Sequence, residues 1–296
     1  MDTNIIGQEI PKKLLSSIIK KKTIPPALLF FGPPGVGKFK IALDFAGEIV
    51  GNKYKIDKGI HPDTLTIFPE FEDYNHAEIF KIRRSGEYYK LRYIKASISI
   101  DTIREIQNYA YLTPMESTWK IIIISQAENM SISAADAFLK VLEEPPKNVL
   151  FILITPNQQL LSETIISRTL NIRFHPLLPE LQEKILERQD IKHFGRGIEE
   201  TLLLKEMKAY EDEFEDLFFN TPRKIRIKNW SEDLKNKWKI EFLLLYLWKI
   251  VEYKYKNEVI EKDNAYRIFN YIKRAYEYYY ANITAEKILF YLLLKI

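Results

Sequence analysis

The sequence predicts an α/β fold over its first part, a mainly parallel sheet with helices on both faces, followed by an all-helical remainder. Three observations carry this. From Ala27 to Thr155 short apolar runs alternate with segments of helical period. A glycine-rich string, Gly32–Lys38, joins the first run to the first such helix. After about residue 176 the strand-like runs stop, and apolar residues recur only at helical spacing.

The expected strands are Ala27–Phe31, Thr64–Phe68, Lys120–Ser125, Val149–Thr155 and Leu170–Phe174. Each is rich in Ile, Leu, Val or Phe and bounded by Gly, Pro or polar residues, the pattern of strands buried on both faces. Helices are expected at Lys38–Val50, Thr102–Ala110, Ala134–Leu142 and Gln159–Ser167. The third stops before Pro145-Pro146, where an N–H is missing and the ring clashes with the preceding turn. Between Phe71 and Lys95 the chain is polar, with Lys81, Arg83, Arg84, Lys90, Arg92 and Lys95 interleaved with Tyr88, Tyr89 and Tyr93. It reads as a solvated β-hairpin or insertion, with nucleic-acid contact as the competing reading. Further on, Leu243, Leu247, Ile250 and Val251, then Ile288, Leu289, Leu292 and Leu293, keep helical spacing, and the helices between Trp230 and Ile296 read as apolar nearly all round. Ten tyrosines between Tyr246 and Tyr291 suit either an interface or the segment's own core.

With 46% hydrophobic and 28% charged residues, 10 Gly and 14 Pro in 296, the composition excludes wholesale disorder and fibrous repeats. No run of about twenty apolar residues is present, and Met1-Asp2-Thr3-Asn4 opens without an apolar signal core, so a cytoplasmic protein away from membranes is expected. The absence of cysteine removes disulfides, thiolate nucleophiles and cysteine zinc sites, and His61, His76, His175 and His193 show no ligand-like spacing. No metal site is expected. Residues 1–176 carry 22 basic and 19 acidic groups, 177–220 carry 6 and 12, and 221–296 carry 16 and 9. This shift suggests three units, 1–176, 177–222 and 223–296, with the second boundary marked by the acidic stretch Glu211–Asp216 and the turn-like Asn220-Thr221-Pro222.

Gly32-Pro33-Pro34-Gly35-Val36-Gly37-Lys38 has the strand-before, helix-after context of a phosphate-binding loop. In such a loop the glycines, with Val36, let backbone N–H groups converge on phosphate oxygens, and Lys38 adds a point charge beside the helix N-terminus. The next position needs a hydroxyl for magnesium and holds Phe39 instead. The strand Ile121–Ile124 should end in acids and ends in Ser125-Gln126; Glu128 serves only if that strand runs on. Without a magnesium clamp, the charge developing on a transferred phosphoryl group is not stabilised. The loop therefore reads either as a site binding ATP or ADP without a productive magnesium site, or as a packed strand-to-helix turn.

Several stretches together carry a more specific resemblance. They are Ile6-Gly7-Gln8, Leu29–Lys38, Gly59-Ile60-His61-Pro62-Asp63, Ile100–Ile106, Ala134–Pro146 with its Leu139-Lys140-Val141-Leu142-Glu143-Glu144-Pro145-Pro146 run, and Ser167-Arg168-Thr169. In this order they resemble the AAA+ sliding-clamp loader subunits of bacterial DNA polymerase III, of the delta-prime kind first and the gamma/tau kind second. The resemblance implies an AAA+ P-loop domain, a small helical lid and a helical collar that joins five subunits in an open ring. It implies that Arg168 is an arginine finger offered in trans to ATP on a neighbour, a role for which a planar, permanently charged fork is suited. Thr169 replaces the family's cysteine there, and the family's four-cysteine zinc module is absent. The implied partners are the gamma/tau and delta subunits, the sliding clamp and primer-template DNA. The helices starting near Thr102 and after Ser131, with Arg104, are the candidates for contact with DNA phosphates, and pairing of Arg104 with Asp101 or Glu105 is the alternative. Since gamma/tau keeps the hydroxyl and the acidic pair, Phe39, Ser125 and Gln126 favour the non-hydrolysing role. Two readings compete with it: an active ATPase using Lys38 and Glu128, and a stand-alone module that binds primed DNA through the basic C-terminal part.

Overall fold

Five parallel strands, β1 (Ala27–Phe31), β2 (Thr64–Ile67), β3 (Lys120–Ser125), β4 (Val149–Thr155) and β5 (Leu170–Arg173), form one sheet in the order β2-β3-β4-β1-β5 in a computed structural model of the chain. The structure describes residues 5–71, 74–85, 96–186, 197–199, 201–202, 238–256, 258–281 and 283–295. These fall into two compact units, the described residues up to 199 and those from 201 onward. The expected boundary at 222 and the stretch Glu211–Asp216 lie outside the described residues.

Strands β3 and β4 are buried along their whole length, which is why they read as unbroken apolar runs. At the edge, β5 buries only Ile172. Its expected last residue, Phe174, falls just outside the ladder but still donates its N–H to the Phe31 carbonyl at 2.7 Å and packs on the Phe30 ring.

Helix α1 (Glu9–Lys21), not anticipated, buries Pro11, Leu15 and Ile18 on one face. Its proline lies in the first turn, where a missing N–H breaks no intrahelical bond. Helix α2 (Lys38–Val50) follows the glycine-rich loop and ends on Gly51, whose φ of 83° suits a left-handed cap. Helix α3 (Lys53–Lys58) comes next, capped by Asn52. Helix α5 (Ile100–Tyr111) starts on Ser99 and α6 (Ile132–Glu143) on Ser131, each serine accepting from a backbone N–H three residues on. Ile103, Ile106, Phe138 and Val141 from these two helices pack with Leu29, Ile122, Phe151 and Leu153 of the sheet.

Two expectations need correction in this unit. The segment read as a hairpin or insertion contains helix α4 (His76–Ser85). Asn75 and Glu78 exchange side-chain and backbone hydrogen bonds at 3.0 Å, a reciprocal cap, and Ile79 and Phe80 are buried. Residues 86–95, with Tyr88, Tyr89, Lys90, Arg92, Tyr93 and Lys95, lie outside the described residues. The helix expected over Gln159–Ser167 is instead a 3-10 turn at Gln158–Leu160 followed by α7 (Glu163–Ser167). Leu161 and Ser162 are extended between them, so the chain restarts at a serine. Helix α8 (Pro179–Leu186) follows β5.

In the second unit, α9 (Trp238–Lys256), α10 (Lys262–Tyr280) and α11 (Ala285–Lys295) enclose Leu243, Leu244, Leu247, Val251, Ile272, Ala275, Ile288, Leu289 and Leu292. The expectation of all-round apolar helices does not hold for α10. Ala265, Ile272, Ala275 and Tyr279 face the core, while Tyr266, Arg267, Lys273 and Arg274 are exposed, because charged residues interleave at helical period. The tyrosines divide accordingly: Tyr246 and Tyr279 are buried and Tyr276, Tyr278 and Tyr291 pack on the same core. Among the described residues no helix is long and apolar enough to cross a membrane.

Candidate functional site

The Gly32–Lys38 loop leaves the carboxyl end of β1, which lies between β4 and β5 while the chain goes on to β2 at the far edge. Open α/β sheets build ligand sites at such a reversal. Gly32, Gly35 and Gly37 all take positive φ, Val36 is buried, and Lys38 opens α2, so the predicted turn is present. The lysine, however, is turned into the loop. Its Nζ donates to the carbonyls of Gly32 at 2.5 Å and Pro33 at 2.6 Å, and the residue is 5% exposed.

Residues 197–199 pack directly on the loop. The Ile198 N–H donates to the Gly35 carbonyl at 3.0 Å, and a Cβ on Gly35 would lie 2.2 Å from the Glu199 nitrogen. Beside them a set of charged side chains answers one another. Arg83, on α4, pairs with Glu199 at 3.3 Å, both about 10% exposed, and its guanidinium lies 5.7 Å from the centre of the Phe39 ring. Glu128 follows the end of β3 on a 3-10 turn, Ala127–Asn129, after Gln126 takes a left-handed conformation. Burial pushes its carboxyl above the ordinary carboxylate range; its own backbone N–H, the Thr155 hydroxyl, Lys38 and Arg83 offset this only in part. The sequence placed Glu128 beyond the strand, and the turn nevertheless returns it to the neighbourhood of Lys38.

The residues at the loop do not fit a magnesium ion. Phe39, where a hydroxyl is needed, is 6% exposed and packs on the rings of Phe68 at 5.7 Å and Phe80 at 5.9 Å. Ser125, at the end of β3, is buried and offers a neutral hydroxyl where an acid is needed, and Glu128 comes only after the strand, on the 3-10 turn Ala127–Asn129. Among the described residues no group of three His, Asp or Glu side chains is placed to hold a metal. A nucleotide's phosphates would likewise have to displace the Lys38 ammonium from the loop carbonyls.

Arg168 has the opposite setting. It is the residue that ends α7, and its side chain is 36% exposed. One terminal nitrogen donates to the Thr164 carbonyl at 3.1 Å, closing the end of the helix, and the other to Glu143 at 2.9 Å. Helix capping is thus real, and it coexists with exposure.

The other motif residues make contacts within the chain. Gln8 bridges to His175 in both directions, accepting from its N–H at 3.0 Å and donating to its carbonyl at 2.7 Å. The Asp63 carboxylate receives the backbone N–H groups of Met115, Glu116 and Ser117 at 2.6, 2.7 and 2.8 Å. Burial would raise this carboxyl, but those donors and the nearby Lys120 hold it below its ordinary value. Lys120 is itself buried, 3.8 Å from the centre of the Tyr109 ring, and desolvation lowers its ammonium despite Asp63. Arg104 pairs with Asp101 at 2.7 Å. At the N-terminus of α5 the hydroxyls of Ser99 and Thr102 already donate to Glu70, at 3.1 and 2.7 Å.

Sequence reasoning picked out the loop and, by resemblance, Arg168, but did not join Arg83 and Glu199 to the first or Glu143 to the second. Arg83 and Glu199 carried no local signal, being 116 residues apart. Glu143 did carry one: an acid in the last turn of a helix, where the helix dipole disfavours it.

Residues 7–178 match the family described as DNA polymerase III, delta subunit. Subunit delta' of DNA polymerase III from Bacillus subtilis is 34% identical over 186 residues, 62% of this chain and 53% of that protein. Subunit tau from the same organism is 32% identical over 167 residues, 56% of this chain and 27% of that protein. The chain thus spans about half or less of the length of these relatives. Among solved structures, a DNA polymerase III gamma subunit-related protein from Thermotoga maritima superposes with a TM-score of 0.53 at 17% identity, covering 96% of this chain and 97% of that one. The expected architecture, a parallel sheet carrying a phosphate-loop turn and followed by helices, is the fold observed, and the Thermotoga maritima protein shares that fold. By its match over residues 7–178, more than half its length, the chain belongs to the DNA polymerase III delta-subunit family.

Proposed function

We propose that this chain is a clamp-loader subunit of DNA polymerase III, of the delta-prime kind, that does not hydrolyse ATP and lends Arg168 to ATP held by a neighbouring subunit. One observation carries the reading. The cation-holding groups of the loop are replaced by an aromatic cluster around Phe39, while the Arg168 guanidinium stands partly exposed at the end of α7. An exposed fork of that kind is suited to charge developing on a phosphoryl group outside this chain. The partners are then gamma/tau and delta subunits, the sliding clamp and primer-template DNA in the cytoplasm, with α9–α11 as the collar.

The test is a loader reconstituted with catalytic subunits that have intact phosphate loops. The purified chain alone is expected to show no DNA-stimulated ATP hydrolysis, and Arg168→Ala to lower turnover by the complex. Unchanged turnover with Arg168→Ala ends the finger reading.

A second reading, an active ATPase, draws on the nearness of Glu128 to Lys38. It requires that the chain alone hydrolyse ATP and that Lys38→Ala abolish this.

A further inference from the structure

We infer that Glu143 is a positioning residue for Arg168: its carboxylate fixes the direction in which the guanidinium is presented across the subunit boundary. The inference rests on the reading of Arg168 as a finger in trans. Arg168 follows a helix of five residues, and a long side chain at such a site samples many rotamers unless its head group is held. Here the head is held at two points. One terminal nitrogen meets the Thr164 carbonyl on α7, and the other meets Glu143 on α6, 25 residues away. A guanidinium has five N–H donors, and these two bonds use two of them, so orientation does not consume the capacity to meet an anion.

Glu143 has no evident role in its own helix. It lies in the last turn of α6, where the unpaired carbonyls repel a carboxylate. The burial of α6 is carried by Ala134, Phe138, Val141 and Leu142, while the Glu143 side chain is 54% exposed. An acid at a place that costs its helix something, aimed at the one arginine at the end of the next helix, is explained by what it does to that arginine. The Pro145-Pro146 pair follows after Glu144 and limits the conformations open to the chain behind it. A pre-oriented finger loses less freedom when it engages, and misplacement of a catalytic group by about 1 Å lowers turnover by up to about a hundredfold.

The test uses the reconstituted loader with DNA and clamp, with this subunit as wild type, Glu143→Ala, Glu143→Gln, Arg168→Ala and the double variant Glu143→Ala with Arg168→Ala. ATP turnover is followed against ATP concentration. Glu143→Ala is expected to lower kcat about five- to tenfold with KM within about twofold, a loss of orientation and not of ground-state binding. Glu143→Gln keeps an acceptor within reach and is expected to fall between wild type and Glu143→Ala. In the double variant, Glu143→Ala is expected to add nothing to Arg168→Ala, since the acid acts only through the arginine. Three results overturn the inference. Normal turnover with Glu143→Ala, while Arg168→Ala is impaired, removes the positioning role and leaves the finger standing. A further loss from Glu143→Ala in the Arg168→Ala background shows that the acid acts elsewhere. Normal turnover with Arg168→Ala removes the finger and the positioning role together. Glu143→Gln, which keeps the size and polarity of the side chain, covers the case in which Glu143→Ala fails to fold.

Discussion

The phosphate loop and the arginine edge belong to the same compact unit, and they use their charged groups in opposite directions. At the loop the chain satisfies itself: Lys38 is bonded to loop carbonyls, Arg83 to Glu199, and Phe39 lies among rings. At the edge, Arg168 and Glu143 form a pair that solvent and another molecule can reach. The difference teaches that a recognisable motif and an available site are separate properties. The first is a backbone path, set by glycines; the second depends on which side chains and segments return to fill it.

The largest expected effect opposes alanine at these two cations. In a reconstituted loader, Arg168→Ala is expected to lower turnover at the neighbouring ATP site it serves about a thousandfold, the low end of what fingers supplied in trans provide. Lys38→Ala is expected to leave turnover within about threefold, since under this reading the lysine is a structural group; its loss shows instead as about 1–3 kcal/mol of stability, from buried carbonyls left unpaired. Equal losses of turnover from the two changes would erase the contrast.

Next in size is a pair of glycines within the loop. Gly35→Ala introduces a Cβ 2.2 Å from the Glu199 nitrogen at a φ of +70°. Overpacking and backbone strain together make this about 3–4 kcal/mol, read by denaturant unfolding. Gly37→Ala, at a φ of +94° with nothing within 4 Å of the added carbon, carries only strain, about 1 kcal/mol. If the loop were open for phosphate and residues 197–199 packed elsewhere, the two substitutions would cost alike.

Phe39→Thr, which restores the missing hydroxyl, tests the metal site from the other side. It is expected to lower stability by about 3 kcal/mol, by removing a buried ring from its contacts with Phe68 and Phe80, and to create no hydrolysis, because β3 still ends in Ser125. Hydrolysis appearing with this single change would show Glu128 to be a working metal ligand.

How much of this was readable follows from where the information lies. The strands stood out because β3 and β4 are buried on both faces and nothing polar interrupts them. Helix α4 was hidden because its buried apolar residues are just Ile79 and Phe80, set among charged ones, although the Asn75–Glu78 cap was present in the sequence. The break before α7 was hidden because Leu160, Leu161, Ile165 and Ile166 keep helical spacing across an extended serine. At the site, the loss of magnesium ligands was local chemistry and could be read directly from Phe39, Ser125 and Gln126. The filling of the loop was not, because Arg83, Glu128 and Glu199 meet only through the tertiary fold.

The smallest expected effect bears on the most delicate part of the contrast, whether Glu128 belongs to a working site or to the filled one. Burial raises its folded-state pKa above the unfolded value. As pH rises from the unfolded value through the folded one, the native state keeps a proton that the unfolded state has lost, so this group's contribution to stability falls. Glu128→Gln removes that titration. The variant is therefore expected to gain on wild type as pH rises above the unfolded value, from no longer holding a charge away from water. The advantage should be least below about pH 4, where the acid is protonated in both states. Thermal midpoints of both proteins between pH 4 and 8 measure this, and repeating them with magnesium and ATP makes the result decisive. A carboxylate that ligates magnesium would give wild type an ATP-dependent gain that Glu128→Gln lacks, reversing the order of the two proteins at neutral pH. A carboxylate that only fills the loop leaves the order as it was.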